Sequence, residues 1–261
     1  PVIQQTFAEA SDVLGYNLAE LIQNNPNEQL SQTEYTQPAM LAAGIAVWRV
    51  WEAQRAKHGI AAPQVLAGHS LGEYTALVAA GSVGFADALR LVQLRGRAMQ
   101  NAVPVGVGAM AVVMGLDDAT VRAVCDDSAQ GQVVEAVNFN APGQVVIAGH
   151  AEAVNRAMNA AKEQRAKLVK LLPVSVPSHC ALMQPVAQQL LAAMADISFQ
   201  MPKIAVLHNV DAAMATDIAQ LKQKLAQQVC SPVQWVQTMQ AMAAQGIVAS
   251  VESGPGKVLQ G

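Results

Sequence analysis

Residues 68–72 have the sequence Gly-His-Ser-Leu-Gly, which is the spacing of a nucleophile elbow. They follow a short apolar run, 64–67, and precede a helix-forming run, 73–80. Such a turn pushes the serine hydroxyl into a cleft, and the tight backbone requires glycines two residues to either side, here Gly68 and Gly72. The free N–H groups at the start of the helix suit an oxyanion. The motif therefore predicts Ser70 as a nucleophile; the alternative is an ordinary tight turn.

A serine nucleophile needs a base, and the sequence offers five histidines: His58, His69, His150, His179 and His208. Two of them, His58 and His150, lie at predicted helix ends and have structural explanations. The side chain of His69 should point away from the neighbouring hydroxyl. His179 lies in a loop with proline and serine, of the kind that carries binding residues at strand ends. Spacing alone does not choose the base, but His179 is the preferred candidate.

Serine hydrolases of the α/β class place an acidic residue between serine and histidine in the chain. The aspartates between Ser70 and His179 all fall at helix starts or on exposed helix faces: Asp87, Asp117, Asp118, Asp126 and Asp127. None of them is suited to a catalytic triad. No His-Gly-Gly-Gly stretch is present to form a lipase-type oxyanion hole. The base therefore lacks an obvious acidic partner.

The hydrophobic period between residues 109 and 174 predicts strand, helix, strand, strand, helix and strand, in that order. The predicted ranges are 109–114, 117–128, 133–139, 144–148, 151–164 and 167–172. The turn Asn140-Ala141-Pro142-Gly143 predicts a hairpin between the middle strands. Because this is the order of a ferredoxin-like unit, we predict a small subdomain at residues 107–174. It would be inserted into a larger α/β subdomain formed by residues 1–106 and 175–261.

The larger subdomain is predicted to alternate helices with short apolar strands, which favours a mainly parallel sheet. Thr36 is predicted to cap a long helix that carries Pro38 in its first turn and ends near residue 57. Ser231 and Pro232 likewise predict the start of a helix that runs to Gly246. Residues 247–251 are predicted to form a final strand.

Composition limits the classes of function. The chain has 261 residues, of which 52% are hydrophobic and 13% charged, with a formal net charge of −3. These values indicate a globular protein without a general attraction to nucleic acid or anionic membranes. No apolar run is long enough to span a bilayer, and no signal-peptide pattern opens the sequence. The spacing of the three cysteines suits neither disulfides nor zinc, so we expect no metal and a reducing cytoplasm.

The motifs together resemble those of the malonyl-CoA:acyl carrier protein transacylases and the related acyltransferase domains of polyketide and fatty acid synthases. The resemblance spans the whole chain. It is carried, in order, by Thr36-Gln37-Pro38-Ala39, Gly68-His69-Ser70-Leu71-Gly72-Glu73-Tyr74, Arg95-Gly96-Arg97, Asn138-Phe139-Asn140-Ala141-Pro142-Gly143-Gln144, Pro177-Ser178-His179, Pro232-Val233-Gln234-Trp235 and Gly254-Pro255-Gly256. It implies a hydrolase-like core with an inserted ferredoxin-like subdomain.

The resemblance also implies roles for individual residues. Ser70 would be acylated, and His179 would be its general base, oriented by a backbone carbonyl near Gln228 instead of an aspartate. Arg95 would bind the free carboxylate of the malonyl group, for which a planar fork of donors is suited. Without the resemblance, Arg95 would be interpreted as a surface arginine. The backbone N–H of Leu71 would donate to the oxyanion, and Gln37 would line the site.

One feature of the family does not occur in this sequence. Members begin with a strand and a Gly-Gln-Gly-x-x-Gln turn, whose glutamine backbone supplies the second oxyanion donor. The family's helical stretch after the position of Gly261 does not occur either. We therefore expect that the sequence is trimmed at both ends; if both segments were truly missing, activity would be impaired.

The implied reaction is a ping-pong transfer of malonyl from malonyl-CoA, through an acyl-serine, to the phosphopantetheine thiol of acyl carrier protein. It would supply fatty acid synthesis. The alternatives are a serine esterase or thioesterase, and an impaired docking module of a larger synthase. The choice between malonyl and methylmalonyl stays open, because Ser178 also occurs in relatives that take branched units. Whether the protein is a stand-alone enzyme or a module also stays open.

The expected partners are acyl carrier protein and a coenzyme A thioester, without nucleic acid or membrane, and we expect a monomer. No permanently bound cofactor is expected, because the phosphopantetheine is carried by the partner. Acyl carrier proteins are acidic, so docking requires a local basic surface on this slightly acidic chain. The candidate docking residues are Arg156, Lys162, Arg165, Lys167 and Lys170; the alternative is a solvated helix face and strand edge.

Overall fold

The computed structural model describes residues 1–174 and 176–259, and these contain ten α-helices and six β-strands. The helices are α1 Val2–Leu14, α2 Leu18–Asn24, α3 Thr33–Lys57, α4 Gly72–Ala79, α5 Phe85–Ala102, α6 Asp118–Ala129, α7 Ala151–Glu163, α8 Gln184–Ala193, α9 Ile218–Gln227 and α10 Trp235–Ala244. The strands are β1 Val65–Ala67, β2 Gly108–Met114, β3 Val134–Ala141, β4 Gln144–His150, β5 Leu168–Leu171 and β6 Ala205–Leu207. The mixed α/β class predicted from the sequence is confirmed.

The larger part of the fold contains a parallel pair of strands, β1 and β6, surrounded by helices. Val65 pairs with Ala205, and Ala67 pairs with Leu207. A hydrophobic core joins the surrounding helices, with one buried leucine from each of five helices: Leu41, Leu77, Leu89, Leu190 and Leu225. Both strands end at the same edge of this sheet, so the residues that follow them meet there. Ser70 and Asn209 are such residues.

The smaller part is a four-stranded antiparallel sheet in the order β3-β4-β2-β5. The connections and strand order are those of the ferredoxin-like unit that the sequence predicts. Its core lies between the sheet and helices α6 and α7, and includes Val113, Val121, Phe139, Ile147 and Val154. The division at residues 107 and 175 stays a prediction, and Ser175 itself lies outside the described residues.

The two parts are connected along the free edge of β3. The N–H of Phe139 donates to the carbonyl of Val233 at 3.0 Å, and the N–H of Val233 donates to the carbonyl of Val137 at 2.8 Å. The next residue, Gln234, donates its N–H to the carbonyl of Asn209 at 2.8 Å. A short extended segment therefore links the small sheet to the loop that follows β6.

Two predicted helix starts are wrong. Helix α3 begins at Thr33, and Thr36 lies inside it, where its hydroxyl donates to the carbonyls of Leu30 and Gln32. Helix α10 begins at Trp235, because the residue before Gln234 is held in extended conformation by the edge of β3. Ser231 is therefore not a helix cap.

The predicted strand at residues 247–251 is also wrong. The segment has no regular secondary structure, and Val248 is 98% exposed. A strand requires a neighbour for its backbone groups, and residues 1–174 and 176–259 supply none here. Within the same ranges, no helix combines the length and apolar character needed to cross a membrane.

Helices α3 and α5 approach closely at Gly96. A Cβ atom there would lie 2.5 Å from the carbonyl oxygen of Thr33 and 2.6 Å from the Cα of Glu34. Real Cβ atoms do not approach backbone atoms so closely, so only glycine allows this packing. The contact brings Arg95 on α5 beside Gln37 on α3.

We expect Gly96→Ala to lower the free energy of unfolding by about 1–3 kcal/mol, because overpacking against backbone forces the helices apart. The control is Gly44→Ala on α3, where the new Cβ would meet the Cγ2 of Thr75 at 2.8 Å, a side-chain tip that can move. The control should change stability by less than about 1 kcal/mol, since alanine favours helix. Denaturant unfolding measures both variants, and equal losses would contradict the close-packing argument.

Candidate active site

Ser70 lies on a strained turn, as the motif predicts. Its φ angle is 51°, in the left-handed region that non-glycine residues rarely adopt. A Cβ on Gly68 would lie 1.9 Å from the carbonyl carbon of Gly72, so Gly68 is required. A Cβ on Gly72 would meet nothing within 4 Å outside its chain neighbours and the backbone of its own helix, so the need for glycine at this position stays a prediction. The close contact constrains only one of the two glycines.

His179 is the histidine that reaches the nucleophile. Its Nε2 lies 2.8 Å from the Oγ of Ser70, and its Nδ1 lies 2.7 Å from the backbone oxygen of Gln228. Because a carbonyl can only accept, Nδ1 carries the proton and Nε2 is free to accept the serine proton. A positive φ of 66° and a bond from its N–H to the carbonyl of Val229 hold the residue in place. The backbone carbonyl thus has the orienting role that an aspartate has in a triad.

The environment keeps His179 neutral. Burial, and after it the positive charge of Arg95, lower the pKa of His179 to about 3, although the bond to the Gln228 carbonyl acts in the opposite direction. A base with this pKa is unprotonated at any ordinary pH. It can therefore accept a proton from Ser70 without first losing one to solvent.

The other four histidines are engaged elsewhere. His69 points away from the hydroxyl, as expected, and its Nε2 lies 2.8 Å from the Oδ1 of Asn140. His150 accepts the N–H of Val133 at its Nδ1, and His58 ends helix α3. His208 is buried against Glu73, with its Nδ1 2.6 Å from a carboxylate oxygen. Among the described residues, none of these four side chains is hydrogen-bonded to the Oγ of Ser70.

Arg95 is not a surface residue. Its side chain is only 2% exposed, and it lies beside the nucleophile. Its Nη2 donates to the Oγ of Ser70 at 3.2 Å and to the Oε1 of Gln228 at 2.9 Å, while its Nη1 donates to the Oε1 of Gln37 at 2.8 Å. Burial lowers the pKa of Arg95, although the Tyr74 hydroxyl and the Glu73 carboxylate raise it. The guanidinium is therefore a buried cation whose contacts are uncharged oxygens.

Both contacting amides are themselves held in one orientation. The Nε2 of Gln37 donates to the Oγ1 of Thr33 at 2.8 Å, which turns its oxygen toward Arg95. The Nε2 of Gln228 donates to the backbone oxygen of Ser70 at 2.6 Å and to Glu73 at 3.0 Å. If either amide flipped, its NH₂ group would face the N–H groups of Arg95. The position of the guanidinium is therefore fixed.

Leu71 is placed to supply an oxyanion donor. Its backbone N–H has no acceptor among the described residues, whereas those of Gly72, Glu73 and Tyr74 close the first turn of α4. The group lies next to Ser70 at the positive end of this helix. An oxygen anion that forms at an acyl-serine could accept its hydrogen bond.

Asn209, which the motif analysis missed, holds the elbow. Its Oδ1 accepts the N–H of Ser70 at 2.6 Å, and its Nδ2 donates to the carbonyl of Gly68 at 2.7 Å. Its own N–H donates to Glu73 at 3.0 Å. The available signal was the polar pair His208-Asn209, which directly follows the short apolar strand β6. Ligands bind at such strand ends in α/β sheets.

The candidate docking residues fall into two groups. Lys162, Arg165, Lys167 and Lys170 are exposed, at the end of α7 and along the sheet-edge strand β5. Arg156 is half-buried, and it donates to the carbonyls of Ser128 and Ala129 and to the side chain of Gln132. The contacts of Arg156 tie α7 to the end of α6, so its guanidinium is not free for a partner.

Comparison with known proteins adds an independent finding. The family model of the acyl transferase domain matches residues 2–260. The chain is 53% identical over 261 residues to a malonyl CoA-acyl carrier protein transacylase of Salmonella typhimurium, covering 100% of this chain and 83% of that protein. It is 40% identical over 262 residues to the transacylase of the same name from Bacillus subtilis, covering 100% of this chain and 81% of that protein.

Solved structures agree with this similarity. The malonyl CoA-acyl carrier protein transacylase of Coxiella burnetii has a TM-score of 0.96 at 48% identity, covering 100% of this chain and 81% of that one. A malonyl-transacylase solved with a type II polyketide acyl-carrier protein also has a TM-score of 0.96, at 51% identity, covering 100% and 83%. The chain therefore belongs to the acyl transferase domain family, and its relatives at 53% identity are malonyl CoA-acyl carrier protein transacylases.

Proposed function

We propose that the protein transfers a malonyl group from malonyl-CoA to the phosphopantetheine thiol of acyl carrier protein. One observation carries the proposal: the Oγ of Ser70 contacts both a neutral base, His179, and a buried cation, Arg95. The base suits acyl transfer at serine, and the cation suits an acyl group that bears a carboxylate. Relatives at 53% identity are named for this reaction.

In the first half-reaction, the Nε2 of His179 takes the proton of Ser70 as its Oγ attacks the thioester carbonyl. The N–H of Leu71 donates to the oxyanion. The C–S bond then breaks, and the proton on His179 passes to the departing thiolate of coenzyme A. The products are free coenzyme A and a malonyl ester on Ser70.

In the second half-reaction, the carrier thiol gives its proton to His179 and its sulfur attacks the malonyl ester. The C–O bond to Ser70 breaks, and the serine recovers the proton from His179. The acyl group thus moves from one thioester to another, and no cofactor or redox step is needed to balance the reaction.

Arg95 would select the acyl group. In malonyl, a single methylene separates the attacked carbonyl from the carboxylate, so the two carbons are about 2.5 Å apart. A substrate carbonyl at Ser70 therefore brings the carboxylate to the guanidinium, whose Nη2 is 3.2 Å from the Oγ. A serine esterase or thioesterase would share Ser70 and His179 but would have no use for this buried cation.

We also infer a cytoplasmic location and a role in fatty acid synthesis. The cysteines among the described residues, Cys125, Cys180 and Cys230, are unpaired, which fits a reducing compartment. The names of the relatives support the substrates but not the location.

The function is tested by incubating the protein with malonyl-CoA or acetyl-CoA and measuring its intact mass. We expect a malonyl adduct that disappears in Ser70→Ala. In Arg95→Ala, malonyl acylation should fall by about 10- to 1,000-fold, because one partner of a buried charge pair is lost. Acetyl acylation should fall much less, since acetyl has no carboxylate to pair.

Three outcomes would contradict the proposal. Hydrolysis of thioester without a stable adduct would favour the esterase or thioesterase, and no acylation at all would favour a docking module. Equal losses for the two acyl groups in Arg95→Ala would remove Arg95 from the carboxylate role.

The pH dependence of acylation tests the state of His179. The neutral imidazole is the active form, so activity should fall only as the pH approaches the lowered pKa of about 3. We expect a flat profile of kcat/KM through the ordinary histidine range, roughly pH 5 to 8. Acetyl-pantetheine is the substrate of choice, because it has no ionisable phosphate.

Arg95→Ala supplies the comparison. Removing the positive charge of Arg95 raises the pKa of His179, because the imidazolium is no longer repelled. The loss of activity at low pH should therefore begin at a higher pH than in the wild type. An inflection near the unperturbed histidine value of about 6.5 in the wild type would contradict the assignment of a desolvated base.

For the carrier protein, we propose that the exposed basic residues from Lys162 to Lys170 form a docking surface. Electrostatic attraction between this surface and an acidic carrier protein would increase the rate of association, and added salt would weaken the effect. We expect Arg165→Glu with Lys167→Glu to raise the KM for acyl carrier protein and flatten its salt dependence. Acylation of Ser70 by malonyl-CoA should not change.

The control is Lys57→Glu with Lys257→Glu, which makes the same change in net charge on exposed lysines of the larger part. It should leave carrier-protein kinetics near those of the wild type. If the Arg165 and Lys167 variant also behaves as the wild type at low salt, docking occurs elsewhere.

A further inference from the structure

Glu73 is a buried carboxylate that the proposed mechanism does not use. It lies in the first turn of α4 and is 0% exposed. Its Oε1 lies 2.6 Å from the Nδ1 of His208, and its Oε2 accepts the N–H of Asn209 and the Nε2 of Gln228, each at 3.0 Å. A burial this complete is unfavourable for a charge unless it is paired or hydrogen-bonded. The three donors satisfy the hydrogen bonds but leave open which positive charge it balances.

Besides His208, which contacts Glu73 directly, Arg95 is connected to this carboxylate through a single amide. The carboxylate of Glu73 binds the nitrogen of the Gln228 amide, and the oxygen of the same amide accepts from Arg95 at 2.9 Å. The order of groups is therefore carboxylate, amide and guanidinium, and both hydrogen bonds along it run from an N–H group to an oxygen. Among residues 1–174 and 176–259, Arg95 forms no direct ion pair.

The separation by one amide has a physical consequence. An isolated buried cation is costly, so a nearby negative charge stabilises Arg95 in the free protein. A carboxylate in direct contact would occupy the guanidinium and exclude a substrate carboxylate. Held one amide away, Glu73 stabilises the cation without taking its place at the side that faces Ser70.

We propose that Glu73 is the buried counter-ion of Arg95 and sets how tightly the site holds an acyl group that carries a carboxylate. This inference rests on the proposed malonyl transfer. The carboxylate of Glu73 is not hydrogen-bonded to the Oγ of Ser70, so Glu73 is a positioning and tuning residue. Because its charge repels the substrate carboxylate through the same amide, it limits the affinity for malonyl and leaves neutral acyl groups unaffected.

Glu73→Gln removes the charge with little change in shape. The new amide oxygen can replace Oε2 toward Asn209 and Gln228 if the new NH₂ faces His208. The imidazole proton must then move to Nε2, which is buried without a partner among the described residues. The substitution is therefore expected to lower stability while leaving the orientation of Gln228 intact.

His208→Asn is used in two ways: alone it is the control, and combined with Glu73→Gln it gives a double variant. The NH₂ of the introduced asparagine can donate to Glu73, so His208→Asn alone keeps the buried charge. In the double variant with Glu73→Gln, the oxygen of that asparagine can accept from the new glutamine amide, so the contact between the two side chains is kept without an imidazole that has to change its tautomer. The control and the double variant share the same change in packing and differ in the charge at position 73.

The experiment measures Ser70 acylation by intact mass over a range of malonyl-pantetheine and acetyl-pantetheine concentrations. In Glu73→Gln and in the double variant, the half-saturating concentration for malonyl should fall relative to that for acetyl. A roughly 10- to 50-fold change corresponds to unit charges about 7–10 Å apart at an effective dielectric constant of about 20. His208→Asn should keep the wild-type ratio.

Two outcomes would overturn the inference: an unchanged ratio in the double variant, and a ratio that shifts toward acetyl. An unchanged ratio would mean that Glu73 only supports the structure, since a structural fault affects both acyl groups alike. A shift toward acetyl would mean that the charge of Glu73 favours binding of the substrate carboxylate instead of opposing it. If the wild type forms no malonyl adduct, the proposed function itself fails. The two failures are thus distinguishable.

Discussion

The structure depends on the burial of one guanidinium beside one serine hydroxyl. Arg95 has to be charged to bind a carboxylate, yet it is 2% exposed, and burial works against the charge. The surrounding residues compensate with oriented amide oxygens from Gln37 and Gln228. Gly96 permits the helix approach that brings Arg95 and Gln37 together. A cation held by neutral dipoles remains available to an anionic ligand, and the site is arranged around this property.

The base is subject to a related constraint on charge. His179 is oriented by the peptide carbonyl of Gln228, and among the described residues no carboxylate is hydrogen-bonded to its imidazole. A carboxylate there would attract Arg95, which is close enough to lower the pKa of the histidine. With a carbonyl in this position, the tautomer is fixed without an added negative charge. The acidic residue that does occur, Glu73, is separated from Arg95 by the amide of Gln228.

The small sheet contributes to the site through its edge rather than through a catalytic group. Val233 pairs with β3, and Gln234 and Trp235 follow it directly. The ring of Trp235 lies edge-on to His69, with centroids 5.5 Å apart, and His69 also contacts Asn140 at the end of β3. The elbow is therefore braced by the small sheet through His69, the residue next to the nucleophile.

The sequence by itself determined the order of elements, the ferredoxin-like unit and the elbow, because each depends on local periodicity or on a short turn. It did not locate the start of α10 or the state of residues 247–251, because both depend on whether residues far away in the chain supply a backbone partner. The family resemblance pointed to His179, Arg95 and Gln228. Only the tertiary structure decided that Arg95 is buried, that Glu73 and Asn209 belong to the site, and that Arg156 serves packing. Those properties arise from contacts between distant segments, which residue type and spacing do not encode.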